Sequence, residues 1–270
     1  MTSTMKLAIL GGGKIGEALL SGLLRGSMAV DEIVISEHHL DRASYLAETY
    51  GVRALSVGDA VAASDVVLIA VKPQDIATLL EQIAPHADGQ VVISVAAGIT
   101  TTRIEAGLPP GTPVVRTMPN TPALVDQAMT AISAGTHATE EHLATAEGVL
   151  ASVGRVIRVP ESQLDAVTAL SGSGPAYFFF LVEAMIDAGI LLGLPRAVAA
   201  ELIVQTALGS ATMLRDTGEH PVQLREAVTS PGGTTIMAIR ELERHGVRAA
   251  LLAAIEAARD RSAELGRADD

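Results

Sequence analysis

The chain has 270 residues, which is enough for one large domain or two smaller ones with a substantial core. Its formal net charge of −12 disfavours nucleic acids and anionic membrane surfaces as partners, because proteins that bind them carry basic patches. The sequence contains no cysteine, which excludes disulfides, thiolate catalysis and cysteine-ligated metals, and its seven histidines show no metal-binding spacing. We therefore expect no metal site.

Neither a secretory signal nor a membrane span is predicted. The first apolar run, at 7–10, is short and ends in glycines, and the longest, at 176–194, contains Glu183 and Asp187. Two acids near the centre of that run favour a buried helix over a membrane helix. We expect a cytoplasmic protein.

Short β-branched runs alternate with amphipathic helical patterns over the first 160 residues. The strand runs are almost wholly apolar, which is typical of strands covered on both faces. The predicted strands are 6–10, 32–36, 65–70, 91–95, 114–118, 130–133 and 155–159, and the predicted helices are 15–24, 41–50, 73–83, 100–106 and 139–149. This alternation predicts an α/β fold with an N-terminal Rossmann-like, doubly wound and mostly parallel sheet.

The pattern changes after Pro160, where strand-like runs cease. The predicted helices there are 162–170, 175–192, 196–215, 221–228, 235–244 and 246–265, and Pro175, Pro195 and Pro221 suit their first positions. We therefore place a boundary near residue 160. Residues 1–160 form the predicted dinucleotide-binding domain, and residues 161–270 form an all-helical domain.

The first strand leads into a glycine loop, "GGGKIG" at 11–16. Gly11 would allow a tight turn, Gly13 would let the backbone approach a pyrophosphate, and Gly16 would let the helix pack on the strand. The amides of Lys14 and Ile15, in the first helical turn, would face the phosphates. The loop therefore predicts an NADPH or NADH site.

The end of the second strand reads "VISEHH" and leaves the coenzyme open. Glu37 could hold the ribose hydroxyls and favour NADH. Alternatively, Ser36 touches the ribose edge while His38, His39 or Arg42 meets the 2′-phosphate of NADPH. A third interpretation is that these residues form a solvated loop without a ligand.

Two further strands end in loops that suit the ligand crevice. "AVKP" contributes Ala70, Val71, Lys72 and Pro73, of which Lys72 either meets a phosphate or lies exposed at a helix start. "MPNTP" at 118–122 is stiffened by two prolines, and its Asn120 suits a nicotinamide carboxamide or a substrate edge. "SGSGP" at 171–175 is a turn of small residues that another backbone or the nicotinamide could approach.

The helical part offers one concentrated polar turn, "TSPGGTT" at 229–235. Its glycines free the backbone, and the first amides of the next helix have no intrahelical partner, so the turn suits a carboxylate. No lysine follows Lys72, which argues against β-hydroxyacid dehydrogenases, because these use a lysine in their helical domain. A strong general acid or base is not obvious there.

These segments resemble one known family, pyrroline-5-carboxylate reductase, along nearly the whole chain. The resemblance is carried by "GGGKIGEAL", "AVKP", "SVAAGIT", "MPNTP", "DAVTALSGSGPAYFF", "GLP" and "VTSPGGTTIMAIRELE". It implies hydride transfer from NAD(P)H to the C=N carbon of (S)-1-pyrroline-5-carboxylate, which gives L-proline. It also implies that Ala97 adds to the cofactor site and that helical tails interlock into a homodimer, which can assemble to a decamer.

The resemblance assigns the substrate to the polar turn. The carboxylate would bind the residues Ser230, Gly232, Gly233, Thr234 and Thr235. The hydroxyl of Thr235 would contact the ring nitrogen, which makes Thr235 the expected catalytic residue. Positioning would supply most of the catalysis, because a cyclic imine can be protonated before it binds.

Two departures from the family pattern keep the coenzyme preference open. The family often has Ser-Asn-Arg where this chain has Ser36, Glu37 and His38, and often has an asparagine near the adenine, where this chain has Ser-Val-Gly at 56–58. Two other functions also stay open. One is reduction of another small imine or oxo acid. The other is non-catalytic nucleotide sensing or scaffolding, against which the two intact loops argue.

Overall fold

Eight strands form one sheet in the described part of the chain, which is residues 5–26 and 28–267 of a computed structural model. The strands are β1 (Leu7–Leu10), β2 (Ile33–Ser36), β3 (Arg53–Ala54), β4 (Val66–Ile69), β5 (Val91–Ser94), β6 (Val114–Met118), β7 (Ala128–Ala134) and β8 (Gly154–Arg158). Their order across the sheet is β3-β2-β1-β4-β5-β6-β7-β8. All neighbours pair in parallel except β6 and β7. The mostly parallel α/β sheet predicted from the sequence is confirmed.

The strand order reverses between β1 and β4. The chain runs outward from β1 to β2 and β3, and then returns to build the other side of the sheet from β4 onward. Leu10 pairs with Ile69, and Ile69 pairs with Ser94, so the carboxyl ends of β1, β4 and β5 lie at one edge. Ligands of open α/β sheets bind at such a switch point, which therefore locates the crevice.

Helices cover both faces of the sheet. They are α1 (Lys14–Arg25), α2 (Leu40–Tyr50), α3 (Val57–Ala62), α4 (Ile76–Ile83), α5 (Thr101–Ala106) and α6 (Glu140–Leu150). Alternate residues of each strand point to opposite faces. Leu7 and Ile9 pack in one buried cluster with Leu19 of α1, whereas Ala8 lies in a second cluster with Leu80 of α4. The strands are therefore buried on both sides.

Helices joined by short turns follow β8 in the described residues. They are α7 (Leu164–Val167), α8 (Gly174–Leu191), α9 (Arg196–Thr217), α10 (Pro221–Ala227), α11 (Thr234–Arg244) and α12 (Val247–Arg267). By contact density the chain divides into two compact units, one of Met1–Ser173 with Ala258–Asp270 and the other of Gly174–Ala257. This division falls later than residue 160 and returns the end of α12 to the first unit. The division into a dinucleotide-binding domain and a helical domain at residue 160 therefore stays a prediction.

The helices of the second unit expose much apolar surface. Phe178, Phe179 and Phe180 of α8 are between 66% and 70% exposed, although the sequence predicts a buried helix here. Among the described residues, the stretches Glu161–Leu191 and Arg196–Thr217 are long and apolar enough to cross a membrane. Length and composition alone are weak evidence for that, because helices at a protein interface have the same character. The prediction that the chain lacks a membrane span stays a prediction.

A short segment before α8 departs from regular helix. A helix at 162–170 is predicted, but the structure has a 3-10 turn at Glu161–Gln163, α7, and then one turn of π-helix at Thr168–Gly172. The amide of Ser173 donates to the carbonyl oxygen of Thr168, five residues earlier, at 2.8 Å. Single π-turns within helices are frequent at functional sites.

Candidate active site

The glycine loop after β1 is closed by contacts that only glycine permits. Gly11 has φ +110°, and a Cβ there would lie 2.6 Å from the carbonyl oxygen of Ala70, in the loop after β4. The amide of Gly11 donates to the carbonyl oxygen of Ser36 at 2.8 Å. A Cβ on Gly16 would lie 2.1 Å from the carbonyl oxygen of Gly11. The first turn of α1 is therefore packed directly on the loop.

The start of α1 is open to a ligand. Gly13 is the N-cap residue of α1 and, being glycine, has no side chain to cap the first amides. A Cβ on Gly13 would meet no described atom within 4 Å. Gly13 and Lys14 are exposed and Ile15 is half-buried. A bare helix N-terminus beside open space fits the pyrophosphate of a dinucleotide.

Glu37 lies against the glycine loop from the end of β2. Its Oε2 accepts a hydrogen bond from the amide of Gly12 at 2.7 Å, and its Oε1 accepts one from the amide of His39 at 2.9 Å. Burial acts to raise the pKa of Glu37, but the hydrogen bonds from His39 and Gly12 lower it overall. A fixed, ionised carboxylate therefore stands where the ribose is expected.

Two exposed histidines follow Glu37. The rings of His38 and His39 are 4.0 Å apart, and ligand atoms of Glu37, His38 and His39 lie within 4.8 Å of one another. Exposed groups of this kind are common without a metal ion, so the trio carries no metal assignment. Arg42 binds the glycine loop, where its Nε donates to the carbonyl oxygen of Gly12 at 2.7 Å.

The other predicted loops end at the same edge of the sheet. The amide of Ala70 donates to the carbonyl oxygen of Leu10 at 2.7 Å, beside half-buried Val71. Lys72 is exposed, and Pro73 begins a 3-10 turn that leads into α4. Ala97 is exposed in the loop after β5. The topology thus brings together the loops that the sequence assigned to the cofactor, whose individual contacts stay predictions.

Asn120 is engaged within the protein. Its Oδ1 accepts a hydrogen bond from the amide of Met129 at 3.0 Å, and its Nδ2 lies 3.2 Å from the carbonyl oxygen and 3.3 Å from the hydroxyl of Ser171. A Cβ on Gly172 would lie 2.4 Å from Met118 Cε, so this loop also packs on the π-turn. These contacts fix Asn120 between β7 and the π-turn, which the sequence alone did not reveal.

Replacing Asn120 with alanine is expected to lower kcat by about 10- to 100-fold, because two to three hydrogen bonds that align the crevice loops are lost. The dissociation constants of NADH and of ADP-ribose, which lacks the nicotinamide, should both stay within about twofold of the wild-type values. Calorimetric titration checks both ligands. Weaker NADH binding with unchanged ADP-ribose binding would instead support the contact with the nicotinamide carboxamide.

The turn at 229–235 has the form that anion binding needs. Gly232 is left-handed, with φ +67°, and Gly233 is the N-cap residue of α11 without a capping side chain. A Cβ on Gly233 would lie 2.5 Å from Ser230 Oγ and 3.2 Å from the carbonyl oxygen of Ser230, so the turn packs closely on itself. Thr234 begins α11, and Thr235 is half-buried behind it. The first amides of α11 therefore stay available to an anionic group.

Comparisons with known proteins decide the family. Residues 161–265 match the family model described as pyrroline-5-carboxylate reductase dimerisation, and residues 6–98 match the one described as NADP oxidoreductase coenzyme F420-dependent. The chain is 48% identical to the pyrroline-5-carboxylate reductase of Mycobacterium leprae, with 98% of each chain covered. The chain belongs to the pyrroline-5-carboxylate reductase family. The resemblance found in the sequence is confirmed.

Solved structures of pyrroline-5-carboxylate reductases have the same fold. The enzyme from Coxiella burnetii superposes with a TM-score of 0.92 at 37% identity, covering 97% of this chain and 99% of that one. The enzyme from Plasmodium falciparum, solved with NADP bound, superposes with a TM-score of 0.88 at 26% identity, covering 98% and 100%. The dimerisation model spans helices whose apolar faces are exposed in the single chain, so this member of the family forms an oligomer.

Proposed function

We infer that the protein reduces (S)-1-pyrroline-5-carboxylate to L-proline with NAD(P)H, which is the final step of proline biosynthesis. The observation that carries this inference is 48% identity to a pyrroline-5-carboxylate reductase over almost the full length of both chains. The glycine loop and the turn at 229–235 fall inside the shared length. The enzyme is therefore an NAD(P)H-dependent oxidoreductase that acts on a C=N bond.

The N-terminal loops fit the dinucleotide. The uncapped amides at the start of α1 suit its pyrophosphate, and the open space at Gly13 admits a close phosphate. When bound, the reduced nicotinamide supplies the hydride. We assign contacts with the dinucleotide to the loop residues Gly11, Gly13, Lys14, Ile15, Gly16, Ser36, Glu37, Ala70, Val71, Lys72, Pro73 and Ala97, and a positioning role in the same crevice to Asn120. Asn120 acts there by holding Ser171 and Met129 in place.

The turn before α11 orients the substrate. We assign the carboxylate of pyrroline-5-carboxylate to the uncapped amides of α11 and to the hydroxyls of Ser230 and Thr234, with Gly232 and Gly233 shaping the turn. The Thr235 hydroxyl accepts the N–H of the protonated imine. Hydride addition at the C=N carbon then converts the iminium to the amine of proline. The proton on nitrogen arrives with the substrate, so the chain supplies orientation.

A coupled measurement of turnover and binding tests this function. Purified protein with pyrroline-5-carboxylate and NADPH or NADH should oxidise the coenzyme and form proline, which chromatography identifies. Turnover of another imine or oxo acid in place of pyrroline-5-carboxylate would favour a different reductase on this scaffold. Coenzyme binding without any turnover would favour a sensing or scaffold protein.

We propose that the oligomer is a homodimer formed through the helical part, and that dimers can assemble to a decamer. The exposed apolar surface of α8 and α9 supports pairing between copies, because water contact with such surface is unfavourable. We also propose that the protein is cytoplasmic and has no nucleic-acid or membrane partner, the latter because a net charge of −12 disfavours binding to polyanions. Light scattering on the purified protein measures the number of subunits.

A further inference from the structure

Two side chains hold the middle glycine of the phosphate loop from opposite sides. The amide of Gly12 donates to Glu37 Oε2 at 2.7 Å, and the carbonyl oxygen of Gly12 accepts from Arg42 Nε at 2.7 Å. A Cβ on Gly12 would lie 2.4 Å from Leu46 Cδ1 and 3.1 Å from Glu37 Oε2, so glycine is needed for this approach. The phosphate loop and the end of β2 are thereby fixed together.

The positive charge of Arg42 is already paired with a carboxylate of the protein. Its guanidinium forms an ion pair with Glu17, which also accepts a hydrogen bond from Tyr50 Oη at 3.0 Å. The guanidinium carbon lies 5.0 Å from the ring centroid of Tyr45. A guanidinium neutralised by a carboxylate and engaged by a loop carbonyl offers little to a 2′-phosphate. Arg42 is therefore a poor candidate for NADPH recognition.

The charge nearest the expected ribose is negative. Hydrogen bonds from Gly12 and His39 hold the two oxygens of Glu37 in place, and each oxygen keeps a lone pair for a ribose hydroxyl. A carboxylate in this position accepts hydrogen bonds from ribose hydroxyls and repels a phosphate dianion. The two neighbouring side chains that can carry positive charge, His38 and His39, are exposed.

We propose that Glu37 makes NADH the preferred coenzyme and that Arg42 positions the phosphate loop. This proposal rests on the proposed function, but its test does not, because coenzyme affinity is measured without substrate. Loss of turnover with both coenzymes would thus count against the proposed function while leaving the coenzyme preference to be decided by calorimetry.

Calorimetric titration of the full-length protein with NADH and NADPH is the first test. We expect wild-type protein to bind NADH at least about tenfold more tightly, since charged hydrogen bonds to the ribose are exchanged for repulsion. Glu37→Ala should lower that preference by about tenfold or more. Glu37→Gln keeps the side-chain volume and removes the charge, so it should improve NADPH binding while NADH binding falls less than in Glu37→Ala. Wild-type preference for NADPH would overturn the proposal.

Variants of the basic side chains separate positioning from recognition. Arg42→Ala should weaken NADH and NADPH binding by the same factor, because both coenzymes share the phosphate loop. A loss confined to NADPH would show that Arg42 binds the 2′-phosphate and would overturn the proposal. The double variant His38→Ala/His39→Ala should keep the ratio of the two affinities within about twofold. A selective loss of NADPH binding in that variant would also overturn it.

Discussion

Replacing Gly16 with alanine is expected to destabilise the protein by about 3 kcal/mol or more and to abolish measurable dinucleotide binding. The added Cβ would lie 2.1 Å from the carbonyl oxygen of Gly11, which is backbone and cannot rotate away. Leu19, Leu20 and Leu23 of α1 are buried in the core, so a shift of the helix that relieved the clash would disrupt that packing. Urea unfolding and calorimetric titration with NADH measure the two effects.

Two other glycines supply the controls for Gly16→Ala. Gly148 lies in α6 with nothing within 4 Å of an added Cβ, so alanine there should leave stability unchanged or raise it by up to about 1 kcal/mol. Gly13 has φ −66° and ψ −175°, which alanine adopts, and open space around it. Gly13→Ala should therefore fold normally but bind dinucleotide about tenfold more weakly. Normal binding by Gly13→Ala would contradict a phosphate at this position.

The sheet was predictable where strands are buried on both faces. Strands such as β1 and β4 are continuous apolar runs between glycine or polar turns, and tertiary packing reinforces that local signal. β3 was missed because it has two exposed residues, Arg53 and Ala54, and it is held by pairing with β2. α3 was also missed, since six residues containing Gly58 give too short a periodic pattern.

The site was predictable where one backbone property decides the chemistry. A glycine directly before a helix predicts that the first helical amides have no side-chain cap. The structure has this form at Gly13, before α1, and at Gly233, before α11. Long-range side-chain contacts leave no such signal. The hydrogen bond between Asn120 and Ser171 joins residues 51 positions apart in the sequence, and the hydrogen bond between Arg42 and Gly12 joins residues 30 positions apart. Only the fold brings these pairs together.

Replacing Thr235 with valine is expected to lower kcat/KM for pyrroline-5-carboxylate by roughly 5- to 150-fold, which corresponds to about 1–3 kcal/mol of transition-state stabilisation. Valine has the shape of threonine without the hydroxyl, and Thr235 is half-buried in the first turn of α11. The substitution should therefore remove one hydrogen bond to the ring nitrogen and leave the turn intact. Steady-state rates at varied substrate concentration measure the loss.

The neighbouring hydroxyls distinguish a catalytic role from a structural one. Thr235→Ser keeps the hydroxyl and should restore most of the activity that Thr235→Val loses. Thr229 donates its hydroxyl to the carbonyl oxygen of Arg225 at 2.6 Å, so Thr229→Val should keep kcat/KM within about twofold. Wild-type kinetics in Thr235→Val would exclude a hydrogen bond between the Thr235 hydroxyl and the ring nitrogen of the substrate. Equal losses in Thr235→Val and Thr229→Val would mean that the hydroxyls shape the turn, and that orientation by the uncapped amides of α11 carries the catalysis.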